Sequence, residues 1–274
     1  MAFLEVGGRV IHIADEGPRM IGTAGDGPRA APALVFANSL GTDFRLWDAV
    51  VARLGDRFRT IRFDKRGHGL SADAAEPFSI EDHVDDLAGV LDRLAVTSAV
   101  AIGLSVGGMI ALGLAARRPD LVRGLVLSNT AHRIGSAEMW DARISTIRAH
   151  GLASIADSVM ERWFSPEFRR DHASEVAGWR TMLARTPAEG YVATCAAIRD
   201  GDYEAAARGV TVPTLCIAGS ADGSTPPEVV ARMADLVPGA FFTIVPGVGH
   251  LPPVEAPDAF ANLLTTFIAE NRLG

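Results

Sequence analysis

The sequence predicts an α/β fold: a mostly parallel central sheet flanked by helices, with a helical cap inserted into it. Two observations carry this prediction. Short apolar runs alternate with helix-period segments toward both ends of the chain, the pattern left by strands buried on both faces of a parallel sheet. Between these two regions the strand-like runs stop and helical spacing takes over. The 274 residues, 48% of them hydrophobic, suffice for one large core with such an insertion. The expected division is a core of residues 1–130 and 208–274, with a cap of residues 131–207 inserted after the sixth core strand.

The elements follow in order. Phe3 to Val6 and Arg9 to Ala14 flank Gly7-Gly8 and read as a hairpin, followed by a polar, glycine-rich loop from Glu16 to Ala31. Strand and helix then alternate: a strand from Ala33 to Ala37, a helix around Leu46 to Leu54, a strand from Arg59 to Phe63 and a helix from Ile80 to Leu94. Ser79 and Asp82 form a capping pair at the start of that second helix. Ser98 to Ile102 and Val122 to Leu127 read as strands around a helix from Val106 to Arg117, which Pro119 terminates. Met139 to Ala149, Leu152 to Phe164, Glu167 to Leu183 and Ala188 to Arg199 carry apolar residues at helical spacing and fill the insertion. A strand from Val212 to Ala218, a helix from Pro227, a strand from Phe241 to Val245 and a helix from Ala256 to Glu270 complete the core.

Chemistry enters at Gly103-Leu104-Ser105-Val106-Gly107. The serine stands between a strand and a helix, with glycines two residues to either side, where the reversal leaves no room for a Cβ. Such a turn pushes the hydroxyl out of the sheet, and the free amides of the following helix favour developing negative charge. A glycine-rich turn whose serine only caps a helix would look the same over five residues, so the rest of the chain must decide. A nucleophilic serine needs a base, and the base needs an acid to orient it. In a fold of this type the base belongs on the loop after the last strand, where His250 stands in Gly247-Val-Gly-His250-Leu-Pro. The acid belongs after the preceding strand, where Asp222 stands; a turn aspartate capping the next helix is its competing reading.

Composition narrows the partners. A net charge of −7 argues against a phosphate backbone and supplies no long-range pull on an anionic substrate, so any anion must be held locally. Nucleic acid and membrane are therefore not expected as partners. Cys195 and Cys216 lack metal-ligand spacing and read as reduced thiols; no metal or organic cofactor is expected. Without a signal segment or a spanning apolar run, the expected location is cytoplasmic.

The order Ser, Asp, His resembles that of the α/β-hydrolases, and Asn38-Ser-Leu40-Gly-Thr42 stands where many of them carry His-Gly. That resemblance implies that the backbone amides of Leu40 and Val106 form the oxyanion hole, with Asn38 bracing the loop. Asp64-Lys-Arg66-Gly-His68-Gly69 also resembles a signature of the superfamily, with a structural role, which makes His68 a tempting but false base. Asn129 occupies the alternative acid position of some relatives, where an amide cannot act as the carboxylate. More narrowly, Asn129-Thr-Ala-His-Arg133, Glu138-Met-Trp140-Asp-Ala-Arg143 and Arg162-Trp163-Phe-Ser-Pro resemble the 3-oxoadipate enol-lactonase family along nearly the whole chain. The resemblance implies hydrolysis of a small anionic enol-lactone, with Arg133, Trp140, Arg143 and Trp163 as substrate-binding candidates. Cap core and solvated helix charge remain open readings for these four, and the Glu16 to Ala31 loop is longer than that family's usual form. A capped carboxylesterase, a carbon-carbon bond hydrolase and a hydrolase-like lactone receptor are the alternatives.

Overall fold

The computed structural model describes residues 1–21, 29–31, 33–72 and 77–274. Eight strands form its main sheet: β1 (Ala2–Val6), β2 (Arg9–Glu16), β3 (Ala33–Ala37), β4 (Arg59–Phe63), β5 (Ala99–Leu104), β6 (Val122–Ser128), β7 (Thr214–Gly219) and β8 (Phe241–Val245). Their spatial order is β1-β2-β4-β3-β5-β6-β7-β8. The hairpin β1-β2 is antiparallel and joins β4 antiparallel, and every other pairing is parallel. The uninterrupted apolar runs of β3 and β5 are buried residue for residue because helices cover both faces there. At the edge of the sheet, β8 leaves Phe241, Phe242 and Ile244 exposed.

The core helices are α1 (Asp48–Leu54), α2 (Ile80–Arg93) and α3 (Val106–Arg117). Ser79 and Asp82 close the capping box expected of them on α2. Between β6 and β7 lie α4 (Ala137–His150), α5 (Ala156–Trp163), α6 (Pro166–Asp171), α7 (Ala173–Arg185), α8 (Ala188–Asp200) and α9 (Glu204–Arg208). After β7 come α10 (Pro227–Leu236), α11 (Pro252–Glu255) and α12 (Pro257–Glu270). Two expected helices of the insertion are each divided. Leu152–Ile155 is a 3-10 turn leading into α5, and His172, with non-helical backbone, separates α6 from α7 while its ring stacks on Phe168 at 4.4 Å. The glycine-rich loop pairs at its ends, Met20–Ile21 with Arg29–Ala30; its residues 22–28 lie outside the described residues.

Parallel register aligns the carboxyl ends of the strands. Ala37 pairs with Gly103, Leu104 with Ser128, Ser128 with Ile217 and Gly219 with Val245. The loops leaving β3, β5, β6, β7 and β8 therefore emerge along one sheet edge, where ligands of open α/β sheets gather. They carry Leu40, Ser105, Asn129, Asp222 and His250.

Candidate active site

Ser105 adopts φ 59°, ψ −122°, a conformation rarely tolerated by a residue with a side chain. Its surroundings over-determine it. The Ser105 amide donates to the Ser128 carbonyl at 3.0 Å, and its own carbonyl accepts the Thr130 hydroxyl at 2.6 Å. A Cβ on Gly103 would clash with the Gly107 carbonyl oxygen, and one on Gly107 with the carbonyl oxygen of Ala37. The turn thus locks β5, α3 and the end of β3 together, and holds Ser105, only 8% exposed, at the α3 N-terminus. Val106 is the first residue of that helix, so its amide has no carbonyl in the preceding turn to bond.

On the loop after β8, His250 is 2% exposed, and its Nδ1 lies 2.8 Å from Oδ2 of the buried Asp222. The remaining lone pairs of Asp222 are filled. Oδ1 accepts the amides of Ser224 (2.7 Å) and Thr225 (3.1 Å), while Oδ2 also accepts the Thr225 hydroxyl (2.7 Å) and the Asn129 amide (2.8 Å). Asp222 thus holds its own turn while contacting the imidazole, but it does not cap the next helix, α10, whose N-cap is Pro226 without a side-chain bond. Burial would raise this carboxyl, but His250, Asn129 and the Ser224 amide outweigh it and hold the group down at about 2.

Two partners of the site carried no role in the sequence reading. Asn129, at φ 48°, supports Asp222 from the end of β6 through its side-chain N–H. Glu255 is the other: its Oε1 accepts the Gly249 amide at 2.9 Å, and its Oε2 accepts the Ser165 hydroxyl at 2.6 Å, tying the His250 loop to the insertion. A glutamate five residues after His250 is the one trace of this in sequence, and nothing local marks it as inward-facing.

The loop after β3 is braced from beneath. Asn38 donates to the Phe63 carbonyl at 2.8 Å and accepts the Trp47 indole N–H at 2.9 Å, the bracing role expected of it. Lys65 is buried, and its ammonium donates to the Ser39 carbonyl at 2.6 Å and the Thr42 carbonyl at 3.2 Å. Burial pushes that ammonium down to about 7, against the pull of Asp64 and Asp43. His68 Nε2 accepts the Gly41 amide at 3.0 Å and its Nδ1 faces the Arg66 carbonyl at 3.2 Å. With both nitrogens occupied, and with burial and Lys65 holding its pKa well below the ordinary value, His68 is a neutral brace and no base. Leu40 sits in the middle of this loop, 6% exposed. Among the described residues no hydrogen bond occupies its amide.

The insertion covers this edge of the sheet. A Cβ on Gly41 would lie 2.9 Å from the Tyr191 ring and closer still to Leu183, so both side chains rest on the loop after β3. Clefts of about 510 and 440 Å³ flank α7, but none of Ser105, Asp222 and His250 lines either of them. Of the four substrate-binding candidates, two stand differently from expectation. Arg133 is exposed and donates to Asp202 at 2.7 Å, which neutralises its charge at the surface. The indole N–H of buried Trp140, expected as a donor to a substrate carboxylate, is taken by the Ile134 carbonyl at 2.6 Å. Arg143 lies over the Trp140 ring, 5.0 Å from its centroid, beside the Tyr191 hydroxyl. Trp163 is buried, and its backbone carbonyl accepts the His250 amide at 2.8 Å.

An eight-stranded, mostly parallel sheet with a strained serine elbow at the end of β5 and an Asp-His pair on later loops defines a class of enzyme. The chain belongs to the α/β hydrolase family, whose sequence profile matches residues 34–263. Within it, the chain is 34% identical to 3-oxoadipate enol-lactonase 1 of Acinetobacter baylyi, over 89% of this chain and 91% of that protein. Identity to 3-oxoadipate enol-lactonase 2 of the same organism is 33%, over 84% and 85%. The crystal structure of the enol-lactonase from Burkholderia xenovorans superimposes with a TM-score of 0.91 at 35% identity, covering 98% of this chain and all of that one. No helix among the described residues is long and apolar enough to cross a membrane.

Proposed function

We propose that the protein opens 3-oxoadipate enol-lactone to 3-oxoadipate, with Ser105 as nucleophile, His250 as general base and acid, and Asp222 as the carboxylate that orients it. The observation that carries this reading is the buried 2.8 Å contact between His250 Nδ1 and Asp222 Oδ2 on loops beside the Ser105 elbow. Asp222 fixes the proton of His250 on Nδ1, which leaves Nε2 free to accept the proton of Ser105. The Ser105 oxygen attacks the lactone carbonyl, and the amides of Leu40 and Val106 stabilise the oxyanion. Collapse of the adduct breaks the ring C–O bond, and the ring oxygen departs as an enolate, a far better leaving group than an alkoxide. His250 returns the proton to the departing enolate oxygen, and the enol so formed ketonises. Water, deprotonated by His250, then attacks the acyl carbon; collapse breaks the acyl–Ser105 bond, His250 returns the proton to the Ser105 oxygen, and the second carboxylate is released.

Residues 131–207 act as the cap in this reading, closing the site and supplying the pocket. Arg143 is its charged member: the residue is partly buried, and among the described residues no carboxylate forms an ion pair with it. Arg133 and Trp140 serve the cap's own packing, and Trp163 serves the seat of His250. A panel of the enol-lactone, saturated lactones and neutral aryl esters tests the assignment. The enol-lactone is expected to have the highest kcat/KM by at least about tenfold, or 1.4 kcal/mol; a neutral ester or a saturated lactone in first place would overturn it.

A further inference from the structure

Two peptide planes precede His250, and each is bonded at both ends. In the first, the Val248 carbonyl accepts the Ala221 amide at 2.8 Å and the Gly249 amide donates to Glu255 Oε1 at 2.9 Å. In the second, the Gly249 carbonyl faces the Asn129 side-chain amide at 3.4 Å and the His250 amide donates to the Trp163 carbonyl at 2.8 Å. Only glycine fits between these partners. A Cβ on Gly249 would lie 2.6 Å from the Trp163 carbonyl oxygen, 2.7 Å from Glu255 Oε1 and 2.9 Å from the Ser165 nitrogen.

Ala221 and Asn129 belong to core loops, whereas Trp163 ends α5 in the insertion. Glu255, the last residue of α11, joins the two parts. Its Oε2 accepts the Ser165 hydroxyl at 2.6 Å, and the Ser165 amide lies 3.2 and 3.3 Å from its two oxygens. The same stretch of the insertion packs on the acid loop, since a Cβ on Gly223 would lie 3.6 Å from the Arg162 Cα. One short segment therefore seats the loops of both Asp222 and His250. The clasp is electrostatically costly: among the described residues Glu255 forms no ion pair, and burial, with the charge of Asp222, raises its carboxyl above the ordinary range despite its donors. An apolar side chain of similar size would pack there without that cost, but it could not accept from Gly249 and Ser165.

We propose that Glu255 is a positioning residue for the reaction: it bonds the backbone in front of His250 to Ser165 of the insertion, and so aims the imidazole at Ser105 only while the insertion is seated. The proposal rests on the hydrolase reading above and adds to it how the base is held. Glu255 acts through the Gly249 peptide and not on the substrate.

The test measures kcat and KM on the enol-lactone and on p-nitrophenyl acetate, a neutral ester. E255M keeps the length of the side chain and removes its acceptors. It is expected to lower kcat about 10- to 100-fold on both substrates, the range for losing hydrogen bonds to a charged group, with KM within about threefold of native. E255Q keeps one oxygen for the Gly249 amide and can turn its own amide to the Ser165 hydroxyl, so it should recover to within about fivefold of native. S165A should lose about three- to tenfold in kcat, and the double variant E255M/S165A should be no slower than E255M, because the hydroxyl acts through the carboxylate. In proton NMR, the downfield Nδ1–H resonance of His250, identified by its absence from H250N, should broaden or shift in E255M and persist in E255Q. A folded E255M with a lower melting temperature, kcat within about twofold of native and an unchanged resonance would make Glu255 a packing residue and overturn the proposal. A rise in KM of about tenfold at unchanged kcat would overturn it as well, by placing Glu255 in the pocket. If E255M does not fold, S165A decides, and a kcat indistinguishable from native would overturn the clasp. If the native protein turns over neither substrate, the hydrolase reading fails and the resonance alone decides: unchanged in E255M, it refutes the positioning role, and broadened, it upholds it.

Discussion

Replacing Lys65 with methionine separates rate from stability. The side chain reaches no reacting atom in the proposed mechanism, yet its ammonium holds the carbonyls of Ser39 and Thr42, which flank the Leu40 amide. Methionine is close to the lysine stem in size and leaves both carbonyls without that donor. One oxyanion-hole donor contributes about 10²- to 10³-fold in rate; a loop that is loosened but not removed should lose part of that, about 10- to 100-fold in kcat on any ester. Stability behaves differently. The Lys65 ammonium titrates near 7 in the folded chain, against an ordinary value of 10.5 when unfolded. Between those values the unfolded chain holds a proton that the folded chain has released, so native stability rises with pH by up to about 1.4 kcal/mol per pH unit. Lys65→Met has no such term. Urea denaturation at pH 7 and pH 9 should therefore show the native protein gaining about 2 kcal/mol relative to the variant over that interval. A kcat within twofold of native, or a stability difference that stays constant or reverses with pH, would refute the reasoning.

Further outcomes follow from the same geometry. Asp222→Asn should lower kcat by about 10³- to 10⁴-fold, as loss of the orienting carboxylate does in other triads, measured under saturating substrate. Because the Asp222 carboxyl is held at about 2, it contributes stability that is complete above the ordinary carboxylate range near 4 and is lost as pH falls through 2. Acid denaturation of the asparagine variant should lack that component. Gly107→Ala forces a methyl group into the Ala37 carbonyl and should lower the melting temperature and activity together, or prevent accumulation of folded protein. Arg133→Ala, which removes only an exposed pair with Asp202, should change kcat/KM less than about threefold by steady-state kinetics. His68→Asn should lower kcat without shifting the pH profile, whereas His250→Asn should abolish the profile.

The parts of this molecule visible in the sequence were those with a short physical period or a fixed order. Buried parallel strands are continuous apolar runs, which is why β3, β5 and β7 stood out. The elbow was legible because Gly103 and Gly107 are needed by contacts that no side chain permits. The order of Ser105, Asp222 and His250 pointed to one sheet edge, and the parallel register places their loops there. What stayed hidden depends on contacts between distant segments. Asn129 read as a vacant acid position, although its amide supports the carboxylate 93 residues later. Glu255 and Ser165, 90 residues apart, link the His250 loop to the insertion. Trp140 and Arg133 had the right chemistry for an anion, but the partners that occupy them, the Ile134 carbonyl and Asp202, come from a local backbone turn and a distant loop that periodicity does not register. The break at His172 was hidden for a similar reason: neither proline nor glycine marks it.

The central claim is that Ser105 attacks the acyl carbon. The most direct measurement is kcat on 3-oxoadipate enol-lactone for the native protein and Ser105→Ala, with circular dichroism and thermal melting verifying that both are folded. Loss of about four orders of magnitude or more in a folded variant is the predicted result. A folded Ser105→Ala protein retaining activity within tenfold of native would contradict it.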